Sequence, residues 1–236
     1  VALQEPAFLA QVQRVLAIPM KRFERPLVGF LSREEMEAIL AAPDAATWTG
    51  QRDRLLILLL YNTGARVSEL IGIRRGDVDT QHAQAVQLHG KWRKERVVPL
   101  WRHTARRLDE WMVTLSTDTT QPILLNRGGR AMSRSGVEQC LQLAVSQAAA
   151  HYLSLKDRRV SPHMIRHTTA MHLLQSGVDL AVIALWLGHE QVATTHQYLE
   201  ADLDMKERAL ASLQPPETAT PRFVPKPDVL AFLDSL

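Results

Sequence analysis

A chain of 236 residues, 46% hydrophobic and 22% charged, is long enough for one large domain with appendages and apolar enough to bury a real core. It has no apolar run of about 18 residues that would make a transmembrane helix. It also has no charged-then-apolar leader segment, and its single cysteine, Cys140, excludes an internal disulfide and fits a reducing cytoplasm. The net charge of +3 is unevenly spread: residues 66–107 hold ten Lys/Arg against four Asp/Glu, and residues 125–166 hold seven against two, the pattern of a basic surface facing a polyanion.

The chain opens on Val1 rather than Met and reads as a piece of something longer. Pro6 starts a short amphipathic helix over 7–16, and the proline-bearing stretch from Ile18 to Gly29 reads as a linker. Ser32 with Glu35 three residues on predicts a capped helix start. A strongly apolar helix over Arg52–Tyr61 should be buried and end at Asn62-Thr63-Gly64, with a short helix following through Leu70. Residues 77–100 alternate in short segments around Asp79-Thr80-Gln81 and Gly90-Lys91-Trp92, which predicts a small antiparallel sheet. Helical periodicity returns from Thr104 to Leu115. An extended connection at Pro122–Leu125 and a turn at Gly128-Gly129 precede helices over Ser135–Ala150, Pro162–Gln175 and Val182–Leu187. A further helix capped at Thr194 or Thr195 runs to about Leu213. Residues 214–227 hold five of the twelve prolines and read as a tether to an apolar-faced tail helix over 228–236.

Four segments carry reactive side chains. They are Thr63-Gly64-Ala65-Arg66-Val67-Ser68-Glu69-Leu70; Gly90-Lys91-Trp92-Arg93-Lys94-Glu95-Arg96; Ser161-Pro162-His163-Met164-Ile165-Arg166-His167; and Leu185-Trp186-Leu187-Gly188-His189, with Tyr198 nine residues on. Attack on a phosphodiester needs a nucleophile, positive charge on the non-bridging oxygens and a proton for the leaving oxygen. Each role has a candidate here. His163 and Arg166 are three apart on a helix, and Lys91 stands at a hairpin tip. A metal pair at His163 and His167, with His172 nearby, is the rival reading, but no acidic residue lies between them and no third ligand is evident. Cys140 reads as a small buried hydrophobe.

Together these segments resemble the signature motifs of the tyrosine recombinase, or phage integrase, family over about Leu31–Leu213. The resemblance implies a mainly α fold with a small three-stranded antiparallel sheet, the tyrosine recombinase catalytic domain. It implies a catalytic set of Arg66, Lys91, His163, Arg166, His189 and Tyr198, with Glu69 supporting the first arginine. The hairpin departs from the usual G-K-G-x-K in having Trp92, and Lys94 is a rival to Lys91 for the lysine role. Arg93, Lys94 and Arg96 are expected to contact DNA phosphates. The resulting division is 1–30 as the remnant of an absent N-terminal core-binding domain, 31–213 as the catalytic domain, and 214–236 as tether and tail helix. The expected partners are double-stranded DNA and three further copies of the chain, with the tail helix a candidate link, in the cytoplasm and with no cofactor, no metal and no membrane. Related alternatives are a tyrosine transposase and a type IB topoisomerase-like enzyme. From other classes come an inactive DNA-binding regulator on the same scaffold and a metal-dependent nuclease.

Overall fold

Buried apolar positions at helical spacing dominate the chain, and the computed structural model, which describes residues 29–82, 84–90 and 95–188, folds them as helices around a central one. Helix α1 covers Arg33–Ala41. Its start is the capping box expected from Ser32 and Glu35: Ser32 Oγ accepts from the Glu35 N–H, and the Glu35 carboxylate accepts from the Ser32 N–H at 2.8 Å.

Helix α2, Trp48–Thr63, is the centre of the fold. Leu56, Ile57, Leu59 and Leu60 are all fully buried, so the helix is covered on every side, as an all-apolar stretch requires. It starts four residues before the expected Arg52, because Thr47 accepts from the Gly50 N–H at 3.0 Å and caps a first turn with little apolar periodicity of its own. It ends at Gly64, in the left-handed region at φ 58°. A side chain at Gly64 would also collide with Leu187, so glycine is required there twice over.

Helix α3 is the short Val67–Ile71. A 3-10 turn at Arg75–Asp77 leads into strands β1 (Val78–Asp79), β2 (Ala85–His89) and β3 (Glu95–Pro99), antiparallel in the order β1-β2-β3. The register pairs Val86 with Val98 and Leu88 with Arg96, so these four side chains share one face. Val86, Leu88 and Val98 on that face are buried.

Helix α4, Arg102–Val113, buries Ala105, Leu108, Trp111 and Met112 against α2, and the Trp111 indole N–H donates to the Ile123 carbonyl at 2.7 Å. Helix α5, Arg134–Ala148, is capped by Ser133 and packs on α1 through α3. Helix α6, Pro162–Gln175, has the expected bounds: Ser161 accepts from the Met164 N–H at 3.2 Å, and Pro162 occupies the first turn, where no N–H is needed. Helix α7, Leu180–Leu187, is capped by Asp179 and ends at Gly188 with φ 65°.

The mainly helical fold with a three-stranded antiparallel sheet is therefore as expected. Cys140 is placed differently from its expectation. Its thiol is only half-buried and accepts from Arg52 Nη2 at 3.5 Å, beside the Arg52–Asp53 ion pair. Burial, reinforced by the Asp53 carboxylate, pushes the thiol up to about 11, so it stays protonated and unreactive. Among the described residues no helix is long and apolar enough to cross a membrane.

Candidate active site

Gly64 ends α2 and turns the chain so that Arg66 becomes the N-cap of α3, extended at φ −69° and ψ 150°. One turn on, Glu69 is buried to 3% exposure. Its carboxylate accepts from the Arg66 N–H at 2.8 Å and from Arg66 Nη1 at 2.9 Å. One acidic side chain thus closes the helix start and orients the arginine. The Arg66 side chain stays about half-exposed, at 46%, available to a ligand outside the protein.

Arg166 rises from the second turn of α6 and is almost fully buried. Its Nη1 donates to the Gly64 carbonyl at 2.6 Å and its Nη2 to the Leu187 carbonyl at 2.7 Å. Arg66 Nη2 makes a long 3.5 Å contact to the next carbonyl, that of Gly188. The two arginines, a hundred residues apart in the chain, therefore meet at the C-terminal end of α7. The last carbonyls of a helix have no partner within it, and that end carries partial negative charge, so arginines are the natural groups to satisfy it.

A third arginine joins them. Arg96 on β3 donates from Nη1 and Nη2 to the two oxygens of Glu69, at 3.0 and 2.8 Å, and from Nε to the Trp186 carbonyl at 2.9 Å. The expectation for Arg96 is a DNA contact beside Arg93 and Lys94. Its side chain is instead 13% exposed, with all three guanidinium nitrogens engaged inside the protein. The signal for this is present in the sequence: two residues before Val98, strand alternation puts Arg96 on the inward face.

Burial alone would raise the Glu69 pKa. The hydrogen bonds from Arg96, the Arg66 N–H and the Arg96 charge outweigh that and hold it at about 2. Glu69 is thus a fixed anion between two cations.

His163 lies on the first turn of α6 with its side chain exposed, while Arg166 is buried; three-residue spacing gives them neighbouring rather than identical surroundings. His167 is buried. His172 faces Tyr61, whose hydroxyl lies 2.7 Å from Nδ1, and the two rings are perpendicular. His172 is therefore packed with an aromatic neighbour rather than directed towards His163. Among the described residues no group of His, Cys, Asp and Glu could hold a metal ion. Lys91, Arg93, Lys94, His189 and Tyr198 lie outside the described residues, as do the expected helix over 7–16, the one to about Leu213 and the tail helix.

Two supporting residues lie in segments singled out in the sequence but have no role assigned to them there. Asn62 is fully buried; its Nδ2 donates to the Pro99 carbonyl at 3.2 Å and its Oδ1 accepts from the Trp101 N–H at 2.9 Å. Trp186 donates its indole N–H to the Asn62 carbonyl at 3.2 Å. Asn62 thereby ties the end of α2 to the exit of β3 and to α7.

The sequence pattern of the phage integrase family matches residues 29–204. The chain belongs to that family. Its relatives include the integrase/recombinase-named protein y4rC of Sinorhizobium fredii, 46% identical over 235 residues, covering 100% of this chain and 71% of that protein. Tyrosine recombinase XerC of Chlamydia caviae is 31% identical over 192 residues, covering 79% of this chain and 59% of the relative. Among solved structures, the XerH site-specific recombinase bound to palindromic difH substrate in a post-cleavage complex superposes with a TM-score of 0.64 at 26% identity. That match covers 79% of this chain and 53% of the other. The chain thus spans little more than half the length of XerC and XerH.

Proposed function

We propose that this chain is the catalytic part of a site-specific recombinase that cleaves and rejoins double-stranded DNA through a 3′-phosphotyrosine. The observation that carries the reading is the convergence of Arg66 and Arg166 on the last carbonyls of α7, one residue before His189, with Glu69 holding Arg66. XerH's capture with its cleaved DNA substrate supports DNA as the substrate here as well.

In this mechanism the Tyr198 hydroxyl oxygen attacks the scissile phosphorus. A phosphotyrosine bond forms, the bond to the 5′ oxygen breaks, and the proton lost from Tyr198 passes by way of His163. Lys91 donates the proton that the leaving 5′ oxygen takes up. Tyrosine is mostly neutral near pH 7, its ordinary pKa being about 10, which is why a proton acceptor is needed. Arg66 and Arg166 hold the non-bridging oxygens as negative charge grows there, Arg166 through the second N–H that each terminal nitrogen has beyond those given to Gly64 and Leu187; such preorganised donors are typically worth about 3 kcal/mol each. His189 hydrogen-bonds the same phosphate, and Arg93 and Lys94 contact the backbone nearby. The arginines supply the charge that a metal would otherwise bring, and the energy kept in the phosphotyrosine makes rejoining independent of ATP. Residues 31–213 form the catalytic domain, four copies act on two DNA sites in the cytoplasm, and the tail helix beyond the 214–227 tether docks on a neighbouring copy.

The test uses nicked duplexes selected from a random pool by binding, on which cleavage releases a short strand and traps the adduct. Covalent protein–DNA adduct should form in EDTA and disappear in Tyr198→Phe. Adduct that survives Tyr198→Phe would move the nucleophile elsewhere, and binding without adduct on every selected site would make the chain a DNA-binding regulator. Lys91→Ala should slow cleavage by about 100- to 10,000-fold. A 5′-phosphorothiolate leaving group, which needs no proton, should restore the rate; failure to restore it would remove Lys91 from the general-acid role.

A further inference from the structure

Arg96 belongs to none of the catalytic roles above, yet all three of its guanidinium nitrogens are engaged beside Arg66. We propose that Arg96 is a positioning residue: it ties the exit of α7 to the carboxylate that orients Arg66, and so sets where Arg66 meets the phosphate and where the chain departs towards His189. The inference rests on the reading of Arg66 as a phosphate ligand.

Three N–H directions of one planar group are used at once. Two take the two oxygens of Glu69, at 3.0 and 2.8 Å, and the third takes the Trp186 carbonyl at 2.9 Å. A lysine ammonium is a point charge without this fork and cannot reproduce the three directions together. Glu69 is held on the other side by the Arg66 N–H and Nη1. Removing Arg96 would leave Glu69 with Arg66 as its only cationic partner among these and the Trp186 carbonyl without this donor.

The packing is equally specific. A side chain on Gly188 would stand 3.0 Å from Arg96 Nη1 and 3.2 Å from Cδ, so the guanidinium occupies the space that glycine leaves open. The carbonyls of Trp186, Leu187 and Gly188 are taken by Arg96, Arg166 and Arg66 respectively. One helix end is thus fastened by β3, α6 and the N-cap of α3. Arg96 alone of the three also grips the carboxylate that orients another.

The experiment compares the full chain with Arg96→Lys, Arg96→Met, Glu69→Gln and the double variants, on a nicked duplex that the wild type cleaves. Arg96→Lys should bind DNA within about threefold of wild type and with the same salt dependence, yet form adduct about 100-fold more slowly at saturating protein, as expected of a misplaced reacting group. Combining it with Glu69→Gln should cost no more than the worse single change, because both break one link. In Arg96→Met the cleavage rate should gain an acid limb that is absent from Arg96→Met/Glu69→Gln.

Adduct formation by Arg96→Lys within threefold of wild type would overturn the proposal. So would weakened binding with a salt slope smaller by about one, the mark of a lost phosphate contact, or fully additive losses in the double variant. No adduct from the wild type would instead defeat the underlying reading of the site. The hold of Arg96 on Glu69 is then read without cleavage, by NMR titration of the Glu69 carboxyl in wild type and Arg96→Met. It should remain ionised near pH 3 only in the wild type, and identical titration in both proteins would overturn the link.

Discussion

Glu69 shows what a single side chain contributes at this site. Its pKa is lowered from 4.5 to about 2, so it stabilises the fold fully above pH 4.5, and that stabilisation is lost as pH falls from there towards 2. The span corresponds to about 3 kcal/mol for a buried group, at 1.36 kcal/mol per unit. Glu69→Gln should therefore be less stable than wild type near neutral pH, with Arg96 left inside without its counter-charge. The difference should narrow below pH 4.5, which urea unfolding at a series of pH values would measure; a constant difference would refute the ion-pair account. Gly64→Ala tests the backbone. A positive φ and a collision with Leu187 act together, so a loss of about 1 to 3 kcal/mol is expected, read as a lowered melting temperature.

At the scale of elements, the β2–β3 ladder is braced at its last pair, His89 and Glu95. His89 Nε2 lies 3.0 Å from Asp77 and Nδ1 lies 3.0 Å from Glu95. The Asp77 hydrogen bond, against a smaller effect of burial and with help from Glu95, raises the His89 pKa above 6.5. A raised histidine stabilises fully below 6.5, and the effect is lost as pH rises through the folded-state value. Amide exchange along the β2–β3 ladder, corrected for its intrinsic pH dependence, should therefore speed up above that pH in wild type and show no such step in His89→Gln. Asn62 braces the other end of β3. Asn62→Leu leaves the Pro99 carbonyl and the Trp101 N–H without their partner, at about 1 to 3 kcal/mol for each buried group. Unchanged stability in that variant would show that the side chain is dispensable.

The elements with local start and stop signals are legible in the amino-acid sequence alone. Ser32 with Glu35, Ser161 with Pro162, and Gly64 each act through hydrogen bonds or steric limits within a few residues, and α1, α6 and the end of α2 fall where those signals lie. The start of α2 escapes such a reading because Thr47 caps a turn without apolar periodicity. Arg96 reads as a phosphate contact because it stands in the basic run after Gly90; strand alternation with Glu95 and Val97 turns it inward, but its counter-charge, Glu69, is known only from the packing.

At the scale of the whole molecule, the basic stretches at 66–107 and 125–166 are only partly surface: Arg96 and Arg166 are turned inward, and Arg158 pairs with Glu35 and the Phe30 carbonyl. Removing residues 214–236 should leave cleavage of a single nicked site unchanged while reducing the pairing of two sites, measured by sedimentation of protein–DNA complexes. Pairing unaffected by the deletion would rule out the tail as the link between copies. The sequence by itself determined the family motifs and their order and most of the helix boundaries, because motifs and capping are written in consecutive positions. Only the tertiary structure decided that Arg66, Arg96 and Arg166 share one helix end and that Glu69 binds two of them. Apart from the local Arg66–Glu69 pair, those partners lie 21 to 122 residues apart, and which cation reaches which carbonyl is settled by how α2, β3, α6 and α7 pack.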